Sequence, residues 1–324
     1  MEHHRTRPIP RNLGKSWEDD QDALMRVRMS MADPPVRARM PQVFHVGPPR
    51  TATTWTWEVL RGRVGLCEEY KEINFFAQNL ARGLEWYLAH FEEPVSQLPR
   101  VDFEPEYFGG TVARERIVTL LPRVKIICSL REPVGRLFSL YKILVRSTSL
   151  PPYKFEDACE KDWRLAESAR YGFYLRKWIE AVGASRVLVL FYDDLLADPQ
   201  QYIERICDFI GIERFKLRPE QRSRVLSSER FTLPNNQWWG RLGRSVGELI
   251  WELGDKRMNY LVRRLRLSKL FFDNGMSFTA PDAAVVQRIR MRLRPEIELV
   301  EQLTGRDLSA WKGPVYEKAD EANY

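Results

Sequence analysis

The chain has 324 residues, 44% of them hydrophobic, enough to bury a large core as one big domain or two smaller ones. A formal net charge of +7 points to an anionic partner without saying which. Four scattered cysteines and four histidines argue against a disulfide framework and a His-based metal cluster, and no apolar run approaches the ~20 residues of a membrane span.

Residues 1–40 are polar, charged and broken by Pro8, Pro10, Pro34 and Pro35, the composition of a flexible arm. The opening MEHHRTRPIPRNLGKSWEDD lacks the apolar stretch of a secretory signal. Cys67, Cys128, Cys159 and Cys207 lie in or beside apolar runs without C-x-x-C spacing, so buried free thiols and a cytoplasmic location are expected. From Gln42 the pattern turns to strand, loop and helix. Val43, Phe44 and Val46 read as a buried strand, with His45 packed inside it, and helix-compatible residues follow Thr53. A second such pair is VKIICSLREPVGRLFSLYKILVR, with its strand over 124–130 and Pro133 in the first turn of the helix. There Val134, Leu137, Phe138, Tyr141, Leu144 and Val145 share one helical face. A third strand is RVLVLFYDDL, followed by a helix with the stripe Ile203, Ile206, Phe209 and Ile210.

Strands alternating with helices predict an α/β fold, a parallel sheet flanked by helices, with its core over 42–212 of a single domain 41–324. After Pro234 the chain reads as a helical C-terminal cap over about 235–300. Leu242, Val246, Leu249, Ile250 and Leu253 share a helical face there, among many Arg and Lys. That segment is either a packed cap with solvated charges or a basic surface for a lipid or polyanion. Ligands of parallel sheets bind at the carboxyl ends of the strands, so a site is expected in the loops after Val46, Leu130 and Phe191.

The first of these loops lies in VFHVGPPRTATTW. A nucleotide P-loop reads G-x-x-x-x-G-K-[ST], but counting from Gly47 the last three slots hold Ala52, Thr53 and Thr54, and the loop's cation is Arg50. Backbone N–H groups of Thr51 to Thr54 at a helix start suit an anion. Arg50 would then sit where charge grows on a bridging oxygen as a bond breaks. That arrangement suits sulfuryl transfer better than phosphoryl transfer, which wants the P-loop lysine and an aspartate holding magnesium. Asp193 and Asp194 are the residues a magnesium-dependent reading would use.

GPPRTATTW resembles the 5′-phosphosulfate loop of sulfotransferases that use 3′-phosphoadenosine 5′-phosphosulfate (PAPS), usually Pro-Lys-Ser-Gly-Thr-Thr-Trp. SLREPVGRLFSLY resembles that family's 3′-phosphate motif, whose Arg and Ser fall on Arg131 and Ser139. A helix with L-x-x-W before a strand ending in F-Y-E-D-L is matched by LRKWIEAVGASRVLVLFYDDL, which puts the family's adenosine-contacting tyrosine on Tyr192 and its adenine-stacking tryptophan on Trp55. The resemblance implies a P-loop-like fold with PAPS as sulfuryl donor, PAP as product and no required metal. It also implies cofactor contacts at Arg50, Thr51, Ala52, Thr53, Thr54, Trp55, Arg131, Ser139 and Tyr192.

EEYKEINFFAQNLARGLEWYLAHF is similar to the heparan sulfate and bacterial branch of that family, whose general base falls on Glu72. A carboxylate suits proton removal from an attacking oxygen, and apolar neighbours Ile73, Phe75 and Phe76 are expected to desolvate it. Departures are Arg50 for lysine, Thr51 and Ala52 for Ser-Gly, Asn74 for a frequent histidine, and no cysteine pair after Cys207. Alanine enters positive φ at a cost, so a different bend of the loop is expected. His90 reads as structural, and Arg222, Arg224 and Arg230 are open candidates for the 3′-phosphate side.

The resulting expectation is sulfuryl transfer to a hydroxyl, or an amine, of a glycan, lipid or small molecule, with Glu72 and Arg50 catalytic. No nucleic-acid partner is expected, and peripheral membrane contact is left open. The rivals are a Mg-ATP phosphotransferase on the same loop and a non-enzymatic polyanion or membrane binder using basic residues 241–269.

Overall fold

The structure, a computed structural model, describes residues 17–67, 69–91, 98–146, 150, 154–225 and 278–313. Four short strands form one parallel sheet in the order β2-β1-β3-β4: β1 Val43–His45, β2 Val101–Phe103, β3 Lys125–Leu130 and β4 Val187–Phe191. Every residue of β1 and β2 is buried, as expected of strands covered on both faces. Strand β2 carries too little apolar sequence to be seen in advance, because its central residue is Asp102.

The helices in chain order are α1 Trp17–Ser30, α2 Pro34–Ala38, α3 Thr53–Leu60, α4 Leu84–Leu88, α5 Thr111–Leu120, α6 Pro133–Arg146 and α7 Phe155–Lys161. They continue as α8 Trp163–Ser168, α9 Tyr171–Val182, α10 Tyr192–Ala197, α11 Pro199–Ile210, α12 Pro219–Val225, α13 Ala283–Thr304 and α14 Ser309–Lys312. The chain gathers into two compact units, Met1–Arg131 with Tyr171–Ser227 and Glu296–Arg306, and Glu132–Arg170 with Ser228–Pro295 and Asp307–Tyr324. The whole sheet belongs to the first.

Within the first unit, β1 has β2 on one side and β3 on the other, so the chain reverses its winding direction between β1 and β3. Such a switch point opens a crevice at the carboxyl ends of the two strands. Gly47 sets their spacing just past β1: a Cβ there would lie 2.6 Å from the backbone N of Ser129 in β3 and 2.8 Å from its O. Helix α11 begins with Pro199 and an Asp198 cap that accepts from the N–H groups of Gln200 and Gln201 at 2.9 and 3.1 Å. Its stripe of Ile203, Ile206 and Ile210 is buried in the core with Trp55, Trp57 and Leu190.

The expected flexible arm is corrected over its second half. Residues 17–30 form α1, and Ala23, Val27 and Met31, spaced four apart, are all buried. A single narrow stripe among many charges does not register in composition, although it is enough to seat one side of a helix. Asp20 of α1 pairs with Arg116 of α5, whose guanidinium also donates to the Phe76 carbonyl at 2.7 Å.

At the other end of the chain, Arg306, just past α13, binds Asp194 of α10 at 2.7 Å. The expected cap is described only from residue 278, where α13 runs through Pro295. The cap face from Leu242 to Leu253, the basic segment 241–269 and Arg230 lie outside the described residues.

The second unit carries the expected helix after β3 as α6. Glu132 accepts from the Gly135 N–H at 2.6 Å at its start, and Arg290 meets the same carboxylate at 3.2 Å. The residues Val134, Leu137, Phe138, Tyr141 and Val145 of its expected face are buried.

Candidate active site

The turn after β1 is tight because two non-glycine residues take left-handed backbone, Arg50 at φ 75° and Ala52 at φ 65°. The Thr51 hydroxyl between them donates to the Pro48 carbonyl at 2.8 Å and is buried. Helix α3 then starts at Thr53 with no side-chain cap, which leaves its first N–H groups to serve an anion. Ala52 thus makes the bend that glycine makes cheaply, so the expected departure in loop shape is replaced by stored strain. Left-handed backbone costs a non-glycine residue about 1–2 kcal/mol. Ala52→Gly should therefore raise Tm by roughly 2–4 °C in a thermal melt. An unchanged or lower Tm would show that the turn is unstrained.

Lys71 and Glu72 reach this turn from the loop after α3. The Lys71 ammonium lies 2.5 Å from Glu72 Oε1 and donates to Thr53 Oγ1 at 3.1 Å. Glu72 is therefore brought beside the loop, but not in an apolar shell. Ile73, Phe75 and Phe76 turn into the core, and the Glu72 side chain is 24% exposed with a cation against its carboxylate. Asn74 supports the segment in left-handed backbone (φ 52°), its N–H donating to Glu104 at 2.8 Å and its side-chain amide to Glu106 at 3.0 Å.

Behind Glu72 sits a buried acidic group that sequence reasoning missed. Burial pushes the Glu104 carboxyl well above the usual carboxylate range, and the charges of Glu72 and Glu106 push it further. Asp102, buried in β2, is pushed up to about 7 by the same desolvation, although the Tyr87 hydroxyl donates to it at 2.6 Å. Neither residue stands in a recognisable motif; only its depth in the fold makes it unusual. His45 is packed as expected, stacked 4.9 Å from Phe103 and 3.1 Å from the Ser129 hydroxyl, which in turn lies 2.8 Å from the Tyr202 hydroxyl. Burial, aided by Lys71, holds it neutral by pulling it down to about 3. His90 packs edge-on against Trp86 at 4.6 Å.

Asp102 gives a pH test. The folded protein keeps a proton that the unfolded chain loses above the ordinary aspartate value of 3.8, so the stability from this group is present below that value and lost as pH rises through about 7. Asp102→Asn should flatten the stability profile in that window. The variant gains on wild type as pH rises, by at most about 4 kcal/mol at pH 8. Parallel profiles from urea melts would rule this out.

At the end of β3, Arg131 lies over the Tyr192 ring at 4.5 Å. Tyr192 does not continue β4, as expected, but opens α10, because β4 ends at Phe191. Trp55 is buried, edge-on to Tyr202 at 6.1 Å, and its indole N–H donates to the Gln221 carbonyl at 2.8 Å. Ser139 is on α6 of the second unit. Asp194, an aspartate the magnesium-dependent reading needs, is instead held by Arg205 at 3.2 Å and Arg306. Arg222 donates to the Gln200 amide oxygen at 3.2 Å.

The sequence pattern of the family described as Sulfotransferase domain matches residues 40–234, well over half of the chain. The chain belongs to the sulfotransferase family. The match spans the Arg50 turn, Glu72, Arg131, Ser139 and Tyr192. Human heparan sulfate glucosamine 3-O-sulfotransferase 6 is 28% identical over 193 residues, 57% of this chain and 56% of that protein. The bifunctional heparan sulfate N-deacetylase/N-sulfotransferase 1 of Xenopus laevis is 27% identical over 197 residues, 54% of this chain and 22% of that protein. The chain thus spans about half, or much less, of the length of these sulfotransferase relatives. In fold it is similar to a sulfotransferase from Alicyclobacillus acidocaldarius, with a TM-score of 0.61 at 17% identity, covering 85% of this chain and 99% of the other. Among the described residues no helix is long and apolar enough to cross a membrane.

Proposed function

We propose that this chain transfers a sulfuryl group from PAPS to an acceptor hydroxyl, with an amine as the lesser alternative, by in-line displacement. The observation that carries this reading is the placement of Glu72: Lys71 links its carboxylate to Thr53, the first helical residue after the anion-binding turn. PAPS is the second substrate and supplies the activated sulfuryl group. The turn suits its 5′ side: uncapped N–H groups, two threonine hydroxyls and one guanidinium match an oxyanion. The Tyr192 ring and Arg131 offer a cationic, aromatic platform suited to the adenosine side. Assigning Arg131 and Ser139 to the 3′-phosphate, Trp55 to the adenine, and residues 41–324 to one sulfotransferase domain rests on the motif resemblance.

Glu72 takes the acceptor proton as the acceptor oxygen bonds to sulfur. The bridging sulfur–oxygen bond breaks, its electron pair stays on the 5′-phosphate oxygen of PAP, and Arg50, Thr53 and Thr54 stabilise the charge that grows there. A glycan hydroxyl is the acceptor class favoured by the names of the heparan sulfate relatives; a lipid or small metabolite are the alternatives. The four cysteines are free and buried, which suits a reducing compartment such as the cytoplasm.

A thermal-shift comparison tests the reading against its rivals. PAP at about 100 times its Kd should stabilise the protein by about 2.7 kcal/mol without added metal. Stabilisation by ATP with magnesium and not by PAP would instead support a phosphotransferase. Salt-sensitive stabilisation by heparin alone would support a polyanion binder.

A further inference from the structure

An ammonium group is seldom buried, because leaving water costs several kcal/mol unless a partner offsets it. Lys71 is buried all the same, with its side chain 2% exposed. Its two contacts face different halves of the chemistry: Glu72 Oε1 at 2.5 Å is the proposed base, and Thr53 Oγ1 at 3.1 Å stands at the start of α3. The turn has threonine where a nucleotide P-loop has lysine, so this cation arrives from a segment 18 residues further along the chain than Thr53.

We infer, resting on the sulfotransferase reading above, that Lys71 is a positioning residue coupling the base to the leaving-group side: it fixes the Glu72 carboxylate beside the turn and sets the direction of the Thr53 hydroxyl. An ammonium only donates, so Thr53 Oγ1 accepts from Lys71 and must aim its own proton elsewhere. A hydroxyl that accepts from a cation is also a stronger donor onward, here to a phosphate oxygen gaining charge. On the other side, Lys71 counters the carboxylates gathered near Glu72. Those are Glu104 and Glu106 after β2 and Asp102 within it, while His45 of β1 is held neutral. Against this group Lys71 sets one positive charge, in direct contact with Glu72. One side chain thereby prepares the proton acceptor and orients a hydroxyl for the departing oxygen.

The test uses Lys71→Met, Lys71→Gln and Lys71→Arg in the full chain. Turnover of PAPS, followed as PAP release with heparan sulfate or water as acceptor, should drop in the two neutral variants and stay near wild type in Lys71→Arg. At pH 7, kcat should fall about tenfold or more with the KM for PAPS within about twofold. Thr53→Val combined with Lys71→Met should lose less than the product of the single losses.

An unchanged kcat, multiplicative losses, or Lys71→Arg behaving like Lys71→Met would overturn the inference. So would a KM for PAPS rising as far as kcat falls, which would put the ammonium on the phosphate itself. Lys71→Gln keeps a donor for Thr53 and carries the comparison should Lys71→Met fail to fold. Absence of PAP stabilisation in the wild-type protein would sink the sulfotransferase reading instead, whereas PAP stabilisation with an unchanged kcat in the Lys71 variants would sink only the role of Lys71.

Discussion

With Glu72 as the proposed general base, Glu72→Gln should lower sulfuryl-transfer turnover by about 10²–10⁴-fold, the span typical of such a loss. The amide is nearly the same size and keeps an oxygen for the Lys71 ammonium, so the contacts around it are preserved. What it removes is the ability to take the acceptor proton. PAP should accordingly raise the melting temperature of the variant as much as that of wild type. Glu104→Gln is the informative contrast. That carboxyl is buried and pushed well above the usual carboxylate range, so the amide resembles its protonated state and should cost turnover far less. Both variants are measured by PAP release from PAPS with heparan sulfate as acceptor. Wild-type turnover in Glu72→Gln, or a larger loss in Glu104→Gln, would move the base assignment elsewhere.

Arg50→Met should cost about 10²–10³-fold in turnover, comparable to losing one charge-stabilising donor from a transition state. Arg50 is held at φ 75° between Pro49 and the buried Thr51, so the backbone presents its side chain from a fixed turn. Its charge matters most when the bridging oxygen carries the departing electron pair, so kcat should fall by a larger factor than PAP affinity. Arg50→Lys should recover much of the loss: an ammonium keeps the charge, although it lacks the planar fork that binds two oxygens at once. Equal effects on kcat and on PAP affinity would make Arg50 a binding group with no special role in the transition state. Steady-state kinetics together with PAP melting curves separate the two cases.

Much of this protein was legible in its sequence because the signals were local. The apolar runs before Gly47, Arg131 and Tyr192 marked β1, β3 and β4, and the stripes of α6 and α11 followed the helical period. The Arg50 turn could be read as an anion loop because glycine, hydroxyls and a helix start fall together in a few residues. The misses were equally physical. Strand β2 is short and carries a buried carboxyl that accepts from the Tyr87 hydroxyl, a partner from outside the strand. Helix α1 buries a stripe too narrow to outweigh its charges, and the strain at Ala52 shows only once φ is known. Lys71 looked like an ordinary charge beside Glu72, since sequence cannot say which of two adjacent polar residues turns inward.

By itself, then, the sequence determined the α/β class, the position of the turn proposed to bind an anion and the motif pair that points to a sulfotransferase. Those features depend on which residues neighbour one another along the chain. Only the tertiary structure decided that Lys71 is buried against both Glu72 and Thr53, that Glu104 and Asp102 are desolvated behind them, and that Arg131 meets Tyr192. Each of those facts is a contact or a loss of water between segments far apart in the chain. Electrostatic free energy follows distance and burial, which sequence order does not encode.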